Sequence, residues 1–185
     1  MLCLAFFVFS QASFAQTDNA SVIQPNIIDN SESVVELTSA ITVIKDDANT
    51  SFAGVLESFR RGESIYATTS NLISLGSQGQ AYWLVFSVEN RTNETQWFLD
   101  FGSLQDGRLG FIKELFVYND TRKQRVEEVL LYGSGQESQE PRNLSYRYLP
   151  VDIEAGATDT FVAFIGPSPG MPVLLSPKIL SKDRF

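Results

Sequence analysis

The sequence has no histidine and a single cysteine, Cys3, in 185 residues. Without imidazole there is no Ser-His-Asp triad, no Cys-His pair, no His-based zinc site and no imidazole acid–base catalysis. Cys3 lies inside an apolar N-terminal run. A chain cut after that run carries no thiol, so disulfides, thiolate–metal sites and Cys nucleophiles fall away together. A carboxylate pair or a lysine remains as the catalytic option. Basic charge is scarce too: 14 Lys+Arg against 22 Asp+Glu give a net charge of −8. Nucleic-acid phosphates and anionic lipid surfaces both demand a basic face, and this balance argues against either partner. No apolar stretch reaches the roughly 20 residues of a membrane-spanning helix. No internal repeat, charge run or low-complexity tract is visible.

What is present begins with the apolar run MLCLAFFVF at 1–9, followed by small residues at Ser13 and Ala15. This pattern predicts a signal peptide over 1–15, cut between Ala15 and Gln16. A buried strand or an uncleaved anchor is the alternative. No Lys or Arg precedes the apolar core, which fits either a start upstream of Met1 or an atypical signal. Residues 16–33 are polar and read as a flexible leader. The remaining 34–185 fit one domain large enough to bury a core.

Within that domain, strand patterns dominate. Runs at 34–37 and 40–44 are β-prone. The segment 51–61 (SFAGVLESFRR) is the helical exception: Phe52, Val55, Leu56 and Phe59 share one helical face, and Arg60, Arg61 and Gly62 suit a C-terminus. Residues 70–80 read as loop. In 81–90 (AYWLVFSVEN), Tyr82, Leu84, Phe86 and Val88 share one face and Trp83, Val85, Ser87 and Glu89 the other. This suits a strand covered on both sides. The segment 95–102 (TQWFLDFG) follows a polar turn at 91–94, and the two read as a hairpin. Further strands are expected at 111–119, 126–132, 146–153, 158–165 and 173–180. Short strands at this spacing predict a mainly β, antiparallel sandwich or barrel with one short helix.

The ordered set Tyr82-Trp83-Leu84-x-Phe86-x-Val88-x-Asn90, then Trp97, then Glu114-Leu115-Phe116-Val117-Tyr118, resembles one family. It is the extracellular domain type 2 of bacterial seven-transmembrane receptors with diverse intracellular signalling modules. Pro141-Arg142 ahead of a strand, Pro150-Val151-Asp152-Ile153 running into Glu154-Ala155-Gly156-Ala157-Thr158, and the closing Leu175-Ser176-Pro177-Lys178 and Ser181–Phe185 extend the likeness over 34–185. The resemblance implies a jelly-roll sandwich similar to carbohydrate-binding modules. It also implies a periplasmic sensor position, with a seven-helix membrane unit and a cytoplasmic signalling module as partners. Because 34–185 is followed by no membrane helices here, the chain reads as a fragment, a truncated piece or a stand-alone form. Val85 is a departure, since the family often carries Arg there.

The best ligand-site candidates lie at one loop-to-strand junction: Arg142, Asn143, Tyr146, Arg147 and Tyr148. Two guanidiniums, an amide and two phenols there suit a sugar or a carboxylate, and pairing of the arginines with nearby acids is the structural alternative. Tyr82 and Trp83 at mid-strand are expected in the core rather than on a sugar platform. Asp46 and Asp47, with Asn49 and the distant Asp18, are hard-oxygen candidates for a structural calcium, with a solvated turn as the alternative. No other cofactor is implied. Glu127-Glu128 or Asp100 with Asp106 would be needed for glycoside hydrolysis, which also requires a cleft and a fixed separation. Several Asn-x-Ser/Thr triplets occur, among them those beginning at Asn90, Asn93 and Asn143; on a bacterial reading they are chance. The reading that results is a non-catalytic sensory ectodomain binding a small extracellular ligand. A stand-alone secreted carbohydrate-binding module is the alternative.

Overall fold

A computed structural model describes residues 24–30, 33–37, 41–47, 50–63, 72–102, 114–130, 148–167 and 169–184. Twelve strands, one α-helix and a short 3-10 helix (Lys182–Arg184) occur there. Strands β1 (Asn26–Ile28), β3 (Ile41–Lys45), β5 (Tyr82–Asn90), β7 (Glu114–Asn119), β8 (Gln124–Leu130) and β10 (Thr158–Ile165) form a six-stranded sheet. Strands β2 (Val34–Glu36), β12 (Lys178–Ser181), β6 (Gln96–Asp100) and β9 (Tyr148–Asp152) form a four-stranded sheet in that order. A third pair joins β4 (Ile73–Gln78) to β11 (Pro169–Leu175).

The alternation of side chains along each strand builds the sandwich. Leu84, Phe86 and Val88 of β5 and Phe161, Ala163 and Ile165 of β10 point from the large sheet into one continuous core. Trp97, Leu99 and Phe101 in and after β6, Leu149, Val151 and Ile153 in and after β9, and Val35 and Ile179 meet them from the four-stranded sheet. Ile73, Leu75, Val173 and Leu175 of the β4–β11 pair join the same core. The phenyl rings of Phe86 and Phe161 stack across neighbouring strands at 5.6 Å.

The opposite face of β5 is covered as well, as its two apolar sides require. Helix α1 (Phe52–Arg60) lays Val55, Leu56 and Phe59 over Val85 and Val162. Ser51 starts it, its Oγ accepting from the Gly54 amide at 3.1 Å. Gly62, at φ 69°, ends it, and the amides of Gly62 and Glu63 close on the carbonyls of Phe59 and Ser58. Val85 is fully buried beneath this helix, so the position that carries Arg in the family resemblance serves packing in this chain.

Three expectations change. The segment 81–102 is not a hairpin: β5 belongs to the large sheet and β6 to the small one. Asn90 makes the corner. Its Nδ2 donates to the carbonyls of Glu94 (2.7 Å) and Ile153 (2.8 Å), while its Oδ1 accepts from the Thr92 amide and hydroxyl. Its backbone exchanges hydrogen bonds with Gly156 and Ala157 in the second corner, between β9 and β10. Both crossovers between layers are thus fastened to one buried amide. Residues 70–80 hold a strand, β4, because Ile73 and Leu75 alternate into the core despite Gly76 and Gly79. The run at 173–180 is broken into β11 and β12 by Ser176 and Pro177, each half joining a different sheet.

The segment expected as a leader also contributes to the sheet. Asn26–Ile28 pairs in parallel with Val88–Asn90, and Ile28 is fully buried. The Asn26 side-chain amide reinforces the pairing by donating to the Ser87 carbonyl.

Candidate functional site

Pairing in the four-stranded sheet sorts its residues into rows. Val35, Ile179, Leu99 and Leu149 lie side by side and face the core. The adjacent row is Glu36, Lys178, Asp100 and Tyr148. One step along a strand reverses the face, so this row lies on the outer side of the sheet. A second outer row, Val34, Leu180, Phe98 and Pro150, runs parallel to it two residues along. The outer face therefore carries a polar row beside an apolar one, about 14 Å across four strands at the usual inter-strand spacing.

The charges in the polar row alternate. Lys178 stands directly between Glu36 and Asp100, and its Nζ lies 3.3 Å from Glu36 Oε1. Glu36 Oε2 is buried and has no donor among the described residues. Asp100 is buried, and its Oδ1 accepts from the Gly102 amide at 2.8 Å. Tyr148, half-buried, ends the row at the edge strand.

Of the residues expected at the ligand site, Tyr148 is therefore the one the structure places, at the start of β9. Arg142, Asn143, Tyr146 and Arg147 lie outside the described residues, in the segment that runs directly into this row. Sequence reading missed Glu36 and Lys178 as site residues, and weighed Asp100 only in a hydrolytic pair with Asp106. Each sits in a short strand of unremarkable composition, and only cross-strand register brings them together.

The other candidates resolve into structural roles. Tyr82 is buried in the core. Trp83 packs edge-on against Phe52 and at 4.9 Å from the Phe164 ring, while its Nε1 donates to Asp46 Oδ1 at 2.7 Å. Trp97 is 3% exposed and donates to the Glu94 carbonyl. Neither indole is laid open as a flat platform. Asp47 accepts from the Thr50 hydroxyl and amide in a tight turn; Asn49 and Asp18 are outside the described residues, and no group of three or more acidic or thiol ligands gathers among those described. Asp106 is likewise outside them. Asn90 has every polar group of its side chain bonded in a buried corner, which leaves no free amide for a glycan.

A second polar group, also unforeseen, joins the β7–β8 turn to β10. Buried Asp159 receives Asn119 Nδ2 and Arg122 Nε, both at 2.8 Å on the same oxygen. Asp120 pairs with Lys123 at 2.6 Å, and Lys123 takes a left-handed backbone, φ 54°. Each bond here is internal, so the group ties the hairpin to the sheet rather than offering a site.

The family model described as 7TMR-DISM extracellular 2 matches residues 38–175. No curated protein matches the chain.

Proposed function

Since this chain belongs to the 7TMR-DISM extracellular 2 family, we propose that it recognises a small extracellular ligand, a sugar or a carboxylate, at the β9 edge of the four-stranded sheet. The family is that of extracytoplasmic sensing domains of membrane receptors, associated with a seven-transmembrane unit and a cytoplasmic signalling module. The domain does no covalent chemistry in this reading. Ligand preference for one of two arrangements of the ectodomain shifts their populations, and the membrane unit reads the shift.

The observation that carries the reading is the convergence at Tyr148. The family match covers this strand, the outer polar row ends on it, and the Arg142–Arg147 segment enters it. Arg142 and Arg147 supply planar donor forks suited to carboxylates or sugar hydroxyls. A stand-alone carbohydrate-binding module is disfavoured by the two tryptophans, both committed to packing and internal hydrogen bonds.

A thermal-shift screen of sugars and small acids tests the proposal. A ligand at a hundred times its Kd should raise the Tm by about 5–10 °C. The rise should shrink in Arg142→Ala, Arg147→Ala and Tyr148→Ala. A ligand whose effect is untouched by all three variants places recognition elsewhere.

A further inference from the structure

We propose that Glu36 and Lys178 form a ligand subsite that selects a hydroxyl- or ammonium-bearing group and rejects anions. This rests on the sensing role above and narrows its ligand class. The first observation is the incomplete carboxylate. Glu36 Oε1 faces Lys178 Nζ at 3.3 Å, whereas buried Oε2 lacks a donor among the described residues. A buried acceptor left unmade costs about 1–3 kcal/mol. Flipping the terminal torsion only exchanges the two oxygens, since that torsion is two-fold. The second donor must come from outside the pair. The Glu36 side chain is 36% exposed, so a rotamer change turns the lacking oxygen toward solvent without unfolding the strand.

The second observation is the order of charge. In the row Glu36, Lys178, Asp100, two carboxylates flank one ammonium at directly opposed positions. An incoming carboxylate meets two like charges for one opposite charge, and has no proton to give Oε2. A hydroxyl gives its proton to Oε2 and accepts from Lys178 Nζ with the same oxygen. An ammonium gives a proton to Oε2 and is drawn by both acids. Donation to the carboxylate is the shared chemistry, and the neighbouring half-buried Val34 and Phe98 offer apolar surface to the carbon skeleton of either source.

The test uses the full chain, titrated by calorimetry with sorbitol and D-galactose as neutral polyols, putrescine as a diammonium and succinate as a dicarboxylate. A polyol or putrescine should bind, and Glu36→Gln should weaken it about tenfold or more, as loss of a hydrogen bond to a charged group. Lys178→Met separates the sources: it weakens a polyol, which loses its donor, and tightens putrescine, which loses a repelling charge. Circular dichroism of both variants, each expected to stay folded, keeps a lost fold from being mistaken for a lost site. Binding of succinate alone, binding indifferent to Glu36→Gln, or no binding by any probe overturns the subsite. Binding that is lost in Arg142→Ala or Arg147→Ala but not in Glu36→Gln leaves the sensor reading standing and removes this one.

Discussion

Asn90 shows how much one side chain can carry when both of its polar atoms are used. It holds the Glu94 and Ile153 carbonyls and the Thr92 amide and hydroxyl in a fully buried site. Removing the amide leaves several buried groups unmade, each costing about 1–3 kcal/mol. Asn90→Ala should therefore lose at least about 3 kcal/mol in urea unfolding, and Asn90→Asp should also destabilise, because two former donor contacts become repulsive. Next to it, Glu89 accepts a two-pronged hydrogen bond from Arg91, at 2.6 and 3.1 Å. That bond, aided by the guanidinium charge, holds the Glu89 carboxyl below its ordinary pKa. A depressed carboxyl gives stability that is present above its unfolded pKa and is lost as pH falls through the lower folded value. Glu89→Gln should thus flatten the acid side of the stability–pH curve by slightly lowering stability at neutral pH, with stability at low pH almost unchanged.

Among the elements, α1 follows most directly from sequence. Its apolar spacing, Ser51 cap and Gly62 stop are local signals, and each operates where the sequence places it. Ser51→Ala should cost about 1 kcal/mol. Phe59→Ala should cost about 3 kcal/mol or more, as the aromatic leaves the cluster with Val85 and Val162. Both follow from thermal melts. The mainly β sandwich and the inward face of β5 were legible for the same reason: alternation is a property of one strand alone. The partner of a strand is not. Residues 91–94 look like any polar hairpin turn, and what sends β6 to the other sheet is the distant corner at Ile153–Ala157 gripping Asn90. Likewise β4 was hidden by its glycines, and the division at Pro177 by an apolar run continuous across it. The candidate site was legible only at Tyr148. Glu36, Lys178 and Asp100 come from three strands far apart in the chain, and no local pattern joins them.

Taken whole, the molecule is threaded back and forth between layers. Strands β5 and β6, β6 and β7, β8 and β9, and β9 and β10 each change sheet, and the β7–β8 pair is the one tight hairpin among the described strands. Contacts so distant in sequence make for slow folding, in milliseconds to seconds for all-β topologies of this kind. Stopped-flow refolding should show that range, and a microsecond phase carrying the full amplitude would contradict the topology. The placement of β12 extends the point. It lies between β2, near the beginning of the described chain, and β6, and it is the ladder partner of β2. A ribosome must therefore release Lys178–Ser181 before Val34–Glu36 can find its neighbour. Until then β2 has no partner strand, and that part of the layer over the core is unfinished. Closure of the small sheet therefore waits on Lys178–Ser181, whose arrival joins the first of its strands to the rest.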